Sequence, residues 1–216
     1  SVNASYNNKV AVLVGDYVLS TALLQVGYTH TNSIVAYLAE LGQTLSDGEI
    51  LQLSNIQCEE ITEEAYLKII ARKTAILFEI CAAIGAESAG VSQEDVALAR
   101  AFGKDLGMIF QIRDDIFDYF DTDKEIGKPT GNDLSEGKIT LPLIYALNST
   151  KDERMMALAR KAKSLTITSE EIAELVAFAK EKGGIAYAEA CMHRYHAKAM
   201  EFITSKVSDP IIKQSL

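Results

Sequence analysis

Proline occurs at only three of the 216 positions, Pro129, Pro142 and Pro210, so nothing in the first 128 residues forbids a long helix. Apolar residues recur every three to four positions near 8–25, 33–55, 63–84, 93–119, 152–165, 170–182 and 185–206. Ser92 before Asp95, Thr150 before Glu153 and Thr168 before Glu171 stand at or near capping-box spacing, and Gly90 and Gly183-Gly184 supply stops. No alternating β-branched run flanks a tight-turn pair, and no 20- to 50-residue repeat is present. The expectation is an all-α helical bundle forming a single domain over 1–216.

Composition narrows the partners. With 48% hydrophobic residues the chain can bury one sizeable core, and its formal charge of −9 argues against nucleic acid or an anionic membrane surface. Cys58, Cys81 and Cys191 lie far apart without a CxxC pair, which fits a reducing cytoplasm. Gly15 and Asp16 interrupt the first apolar run and Glu79 the second, so no transmembrane segment is expected. The opening SVNASYNNK, without a start methionine, is expected to be a cut or processed end. Asp16, inside VAVLVGDYVL, is expected to be a buried acid.

Two helices are apolar nearly all round and carry charge inside, which places them mid-bundle. The first, GKDLGMIFQIRDDIFDYFD, sets Asp114 and Asp118 one turn apart on one face, with Asp115 about 100° round from Asp114. Acids this close repel. A Mg²⁺ ion, which takes oxygen ligands from one or two carboxylates plus phosphates, is one compensating partner; a solvated acidic face is the plainer alternative. The row extends toward the amino end through Gly103, Gly107 and Gln111, where glycine admits another backbone or a ligand.

The second, EEAYLKIIARKTAILFEICAAIG, has a stripe of Tyr66, Ile70, Lys73, Leu77, Ile80 and Ile84 in steps of four and three. Lys73 thus occupies a core position, with Thr74 beside it, and either meets an anion or snorkels to solvent. After the aspartate helix, DTDKEIGKPTGNDLSEGKITLPL interleaves Gly127, Gly131 and Gly137 with Lys128 and Lys138. Its spacing departs from both the P-loop and the EF-hand, leaving a phosphate-binding loop or a solvated turn. His193 and His196, three apart, are expected on an ordinary polar face.

FQIRDDIFD, the Arg72-Lys73-Thr74 triplet, GKPTGNDLSEGK and the opening NNKVAVLVGDY together resemble the trans-type polyprenyl diphosphate synthases, including the octaprenyl and other long-chain enzymes, in the same order and from end to end. The resemblance implies an isoprenoid-synthase helical bundle around a central cavity, usually a homodimer, that condenses isopentenyl diphosphate with an allylic diphosphate using Mg²⁺. It implies that Asp114, Asp115 and Asp118 bind metal with Asp114 the main ligand, and that Lys73 and Lys128 hold the allylic diphosphate. Thr74 and Gln111 would lie beside the reacting carbons, and Lys138 would close the loop over the phosphates.

The family also carries a first aspartate-rich motif followed by an arginine pair, which this sequence lacks. The resemblance therefore implies the carboxy-terminal two thirds of a synthase, inactive at this length. Two alternatives stay open: a non-catalytic partner subunit of a heteromeric prenyltransferase, and a terpene cyclase on the same fold. A cyclase, however, generally replaces the second DDxxD by an Asn/Asp, Ser/Thr, Glu pattern that is absent here. Product chain length and the preferred primer are not legible.

Overall fold

The computed structural model describes residues 2–58, 60–120 and 130–215. Every regular element among them is helical, as the periodicity predicts. In chain order these are α1 (Val2–Ser5), α2 (Asn8–Gly27), α3 (Asn32–Gln57), α4 (Glu63–Ile70), a π-helical turn (Ala71–Ala75), α5 (Ile76–Ser88) and α6 (Gln93–Phe117). After them come α7 (Asn132–Ser135), α8 (Leu141–Thr150), α9 (Glu153–Lys163), α10 (Ser169–Glu181), α11 (Gly184–Lys206) and α12 (Pro210–Ser215).

The chain divides into two compact units, Ser1–Gln43 and Thr44–Leu216. Within the first, α2 starts at Asn7, whose side chain accepts from the Val10 amide, and buries none of its residues; Leu13 and Tyr17 are 66% and 75% exposed. Two expectations are corrected here. Asp16 is exposed. Gly15 and Asp16 also do not interrupt the apolar run: one glycine and one charge leave a continuous 20-residue helix with a mean hydropathy of 1.6, long and apolar enough by length and composition to cross a membrane. Those two measures do not separate a helix that meets lipid from one that meets protein.

The larger unit is built around α8. Leu141, Leu143, Ile144, Ala146 and Leu147 are at most 2% exposed, and α10 and α11 pack against them. The sequence pattern passes over this helix because its apolar residues follow one another without a period and Pro142 stands among them. Proline is tolerated in a first turn, where its missing N–H has no intrahelical acceptor. The predicted caps hold at Ser92 and at Thr168, the latter a complete capping box with Glu171. Thr150 is displaced: it ends α8, and Asp152 caps α9.

The stripe assigned around Lys73 is also corrected. Tyr66, Ile69 and Ile70 are buried before the π-helical turn, Ala75 at its last position, and Ile76, Ile80 and Ala83 after it, whereas Leu77 is 47% exposed. The wider turn advances the apolar phase by one residue, so the buried row steps by five from Ile70 to Ala75. Lys73 and Thr74, two of the four residues passed over, are only partly buried.

Candidate active site: a cavity with a basic and an acidic wall

Two glycines hold the π-helical turn in place. A Cβ on Gly48 of α3 would come within 2.8 Å of the Lys73 nitrogen, and one on Gly107 of α6 would run into the Ala75 backbone. Gly103, one turn earlier, meets the Phe78 carbonyl in the same way. The glycine row of α6 therefore admits a neighbouring backbone, the helix-packing outcome of the two that its sequence allowed.

Between these helices lies a cavity of about 440 Å³. Lys73 and Thr74 line it from the π-helical turn, Gln111, Asp114 and Asp115 from α6, and Asp133, Glu136 and Lys138 from α7 and the segment after it. Six of the eight residues singled out from the sequence thus meet around one space. Asp118 lies beside it, and Lys128 falls outside the described residues.

The anion facing Lys73 comes from α3. Its ammonium is 2.9 Å from the Glu49 carboxylate and donates at 2.9 Å to Gln52 Oε1, while Arg72 pairs with Asp47. Glu49 and Gln52 were not anticipated: their helix reads as amphipathic, and nothing in its sequence points to Lys73.

On the acidic wall the three aspartates diverge. Asp114 faces the cavity. Asp115 is 3% exposed and both its oxygens accept: Oδ2 from the Tyr66 hydroxyl and Oδ1 from Gln111 Nε2, each at 2.7 Å. Burial pushes its pKa up to about 7, against the opposing pull of those two hydrogen bonds. Asp118 accepts from the Asn132 and Asp133 amides at 3.0 and 3.1 Å and so anchors α7 to the end of α6. Gln111 Oε1 in turn accepts from the Thr74 hydroxyl at 2.7 Å.

Asp133 is a further acid that the sequence reading passed over as part of the loop. Burial, with the charge of Asp118 adding to it, pushes its pKa up to about 6. Lys138 lies 2.5 Å from Glu136 and 3.7 Å from Asp133; burial would lower its pKa, but these two acids outweigh it and raise it.

Asp114 and Asp133 thus bring two carboxylates to one cavity, an arrangement that suits a divalent cation. Among the described residues no group of three or more ligating side chains is assembled. A hard cation that keeps several waters and takes the remaining ligands from phosphates fits such a sparse donor set; a closed protein cage does not. His193 and His196 are exposed on α11, as an ordinary polar face would be.

Comparison with known proteins agrees with this geometry. Residues 1–178 match the family model described as polyprenyl synthetase. The chain is 36% identical over 154 residues to octaprenyl diphosphate synthase of Escherichia coli, covering 71% of this chain and 48% of the relative. It is 32% identical over 203 residues to heptaprenyl diphosphate synthase component 2 of Geobacillus stearothermophilus, covering 94% and 62%. The crystal structure of geranylgeranyl pyrophosphate synthase from Bacteroides thetaiotaomicron superposes with a TM-score of 0.92 at 46% identity, over 98% of this chain and 70% of that one. A decaprenyl diphosphate synthase from Rhodobacter capsulatus gives 0.89 at 29%, over 100% and 66%. The chain spans about half to three fifths of the length of the curated relatives it matches. A family model that matches residues 1–178 of 216 shows that the chain belongs to the polyprenyl synthetase family.

Proposed function

We propose that this chain carries part of the active site of a polyprenyl diphosphate synthase, which joins isopentenyl diphosphate to an allylic diphosphate with Mg²⁺. The observation that carries the reading is the cavity in which Lys73 and Lys138 share one space with Asp114 and Asp133. The names of the relatives, which span octaprenyl to geranylgeranyl products, support the reaction class without fixing a chain length.

In this reading the allylic C–O bond breaks, leaving a carbocation and a diphosphate. A C–C bond then forms to the double bond of isopentenyl diphosphate, and one proton passes from the resulting cation to the departed diphosphate. Lys73, Lys128 and Lys138 take up the charge that gathers on the leaving diphosphate. Lys73 exchanges Glu49 for it, a modest step because a partly exposed ion pair contributes less than about 1 kcal/mol. Asp114 is the main protein ligand for Mg²⁺, which when bound supplies Lewis-acid stabilisation of the leaving group. Asp115 and Asp118 complete the metal-binding wall by holding Gln111 and α7 in place. Thr74 and Gln111 lie beside the reacting carbons, and the apolar surroundings keep water from the cation.

Calorimetry of diphosphate binding on the full gene product tests this. Asp114→Asn is expected to weaken binding in Mg²⁺ by about tenfold or more and to leave binding in chelator nearly unchanged. Equal weakening under both conditions would overturn metal bridging.

A homodimer is proposed as well, with the exposed apolar residues of α2 as the surface a second copy would cover. The relative named component 2 favours a second reading, in which a dissimilar subunit takes that place. The mass of the protein purified alone, by light scattering, separates the two.

A further inference from the structure

Four side chains that all line the cavity form one hydrogen-bonded line, with Tyr66 its buried end: Thr74 to Gln111, Gln111 to Asp115, and Tyr66 to Asp115. Every link is 2.7 Å long. The direction of each link is fixed by what its members can do. An ionised carboxylate only accepts, so with Asp115 ionised Gln111 turns its amide nitrogen toward Asp115 and its oxygen toward Thr74. Thr74 must then donate its one proton to Gln111, which leaves only its oxygen lone pairs for the cavity.

We propose that Tyr66 is a positioning residue: its hydroxyl, acting through Asp115 and Gln111, makes Thr74 an acceptor toward the cavity. The proposal rests on the prenyl-transfer reading above and deepens it, since a carbocation is stabilised by an oxygen lone pair and repelled by the positive end of an O–H dipole. Tyr66 is 6% exposed, and its ring packs in the main core beside Ile70 and Ile112. Its hydroxyl meets Asp115 Oδ2 while Gln111 meets Oδ1, so the two donors divide the carboxylate between them. Removing the hydroxyl leaves Oδ2 a buried acceptor without another donor among the described residues. The second amide proton of Gln111 is the nearest replacement, and rotating to reach Oδ2 carries the Gln111 oxygen away from Thr74. The hydroxyl is then free to point its proton into the cavity.

Tyr66→Phe in the full gene product is the test, because it deletes one oxygen and keeps the packed ring. Turnover is expected to fall about ten- to a hundredfold, with KM for both diphosphates changed less than about threefold, as misorientation of a group beside the reacting carbon would do. In a Thr74→Val background the same substitution is expected to lower turnover by less than about twofold, since the group it orients is already gone. Unchanged turnover in Tyr66→Phe, or an equal fall in both backgrounds, would overturn the proposal. Asp115→Asn, which breaks the line at its middle, provides a second variant should Tyr66→Phe fold poorly.

A readout independent of catalysis separates this proposal from the functional reading. The Thr74 methyl resonance, in protein labelled at threonine, is expected to shift in Tyr66→Phe and to stay put in the control Tyr145→Phe. No shift overturns the orienting role even if the enzyme is active. A shift in a protein whose wild type transfers no prenyl group upholds the orientation and overturns the proposed reaction instead.

Discussion

The two walls of the cavity reach the same end by different means. The acidic wall is a regular helix: Gln111 and Asp115 are four residues apart and bond to each other, and Asp114 and Asp118 form the adjacent row. The basic wall is an irregularity: Lys73 and Thr74 face the cavity because a π-helical turn advances the helix by one residue between two glycine-mediated close approaches. The acidic wall adds one hydrogen bond of its own, Gln111 to Asp115, to those it accepts from Tyr66, Thr74 and the α7 amides, whereas Lys73 is held by two side chains of α3. Charge on a regular helix is positioned by sequence spacing; charge on a π-turn is positioned by what packs against the backbone.

The strongest way to sharpen that contrast is to remove the charge of the basic wall without disturbing its backbone. Lys73→Met keeps most of the apolar stem and is expected to lower turnover by about a hundred- to a thousandfold, as loss of a group stabilising a developing anion does. Stability is expected to hold or rise, because the ammonium's ion pair is partly exposed and contributes little. Near-normal turnover, measured as isopentenyl diphosphate incorporation by the full gene product, would return Lys73 to a snorkelling residue.

Next in size is a substitution that moves the backbone and spares the charge. A Cβ on Gly107 collides with the Ala75 backbone inside the π-helical turn, and one on Gly103 collides with the Phe78 carbonyl beyond it. Overpacking of this kind costs about 1–3 kcal/mol at either position. Gly107→Ala is expected to lose turnover at least about tenfold beyond Gly103→Ala at matched stability, because a displacement near 1 Å at the reacting groups is felt as strongly as that. Urea unfolding midpoints paired with initial rates decide it: equal losses from both glycines would mean that the π-turn is packing alone.

The same contrast explains what the sequence made legible. The all-α fold, the long α6, the capping box at Thr168 and the spacing of Gln111 with the three aspartates all follow from a 3.6-residue period, and they stand where that period puts them. Lys73 was singled out from a stripe that the chain does not keep, since Leu77 is exposed and Ala75 buried. A π-turn leaves no period of its own, so a fixed-step reading fails where a residue is added. α8 was missed for the opposite reason, its first seven residues being buried apart from Tyr145 and so without a polar face to give them phase. Tyr66 and Glu49 were missed because each acts through a partner distant in sequence: Tyr66 is 49 residues from Asp115, and no spacing rule spans that gap; Asp133, near Lys138 in the same segment, was read only as part of the loop.

The smallest effect is expected from the borrowed side chain. Glu49 lies 2.9 Å from the Lys73 ammonium with its own side chain 55% exposed, so the pair contributes about 0.2–1 kcal/mol at most. If diphosphate takes the place of Glu49, that pair is broken on binding and its energy is subtracted from substrate affinity. Glu49→Gln retains the size and a hydrogen-bonding oxygen while removing the competing charge. KM for the allylic diphosphate is then expected to fall between about one-and-a-half- and fivefold, the range those energies convert to, with turnover unchanged. The opposite result is as informative: a rise in KM would mean that Glu49 holds the ammonium ready for the substrate, making the α3 contact part of the basic wall's construction and not a competitor within it.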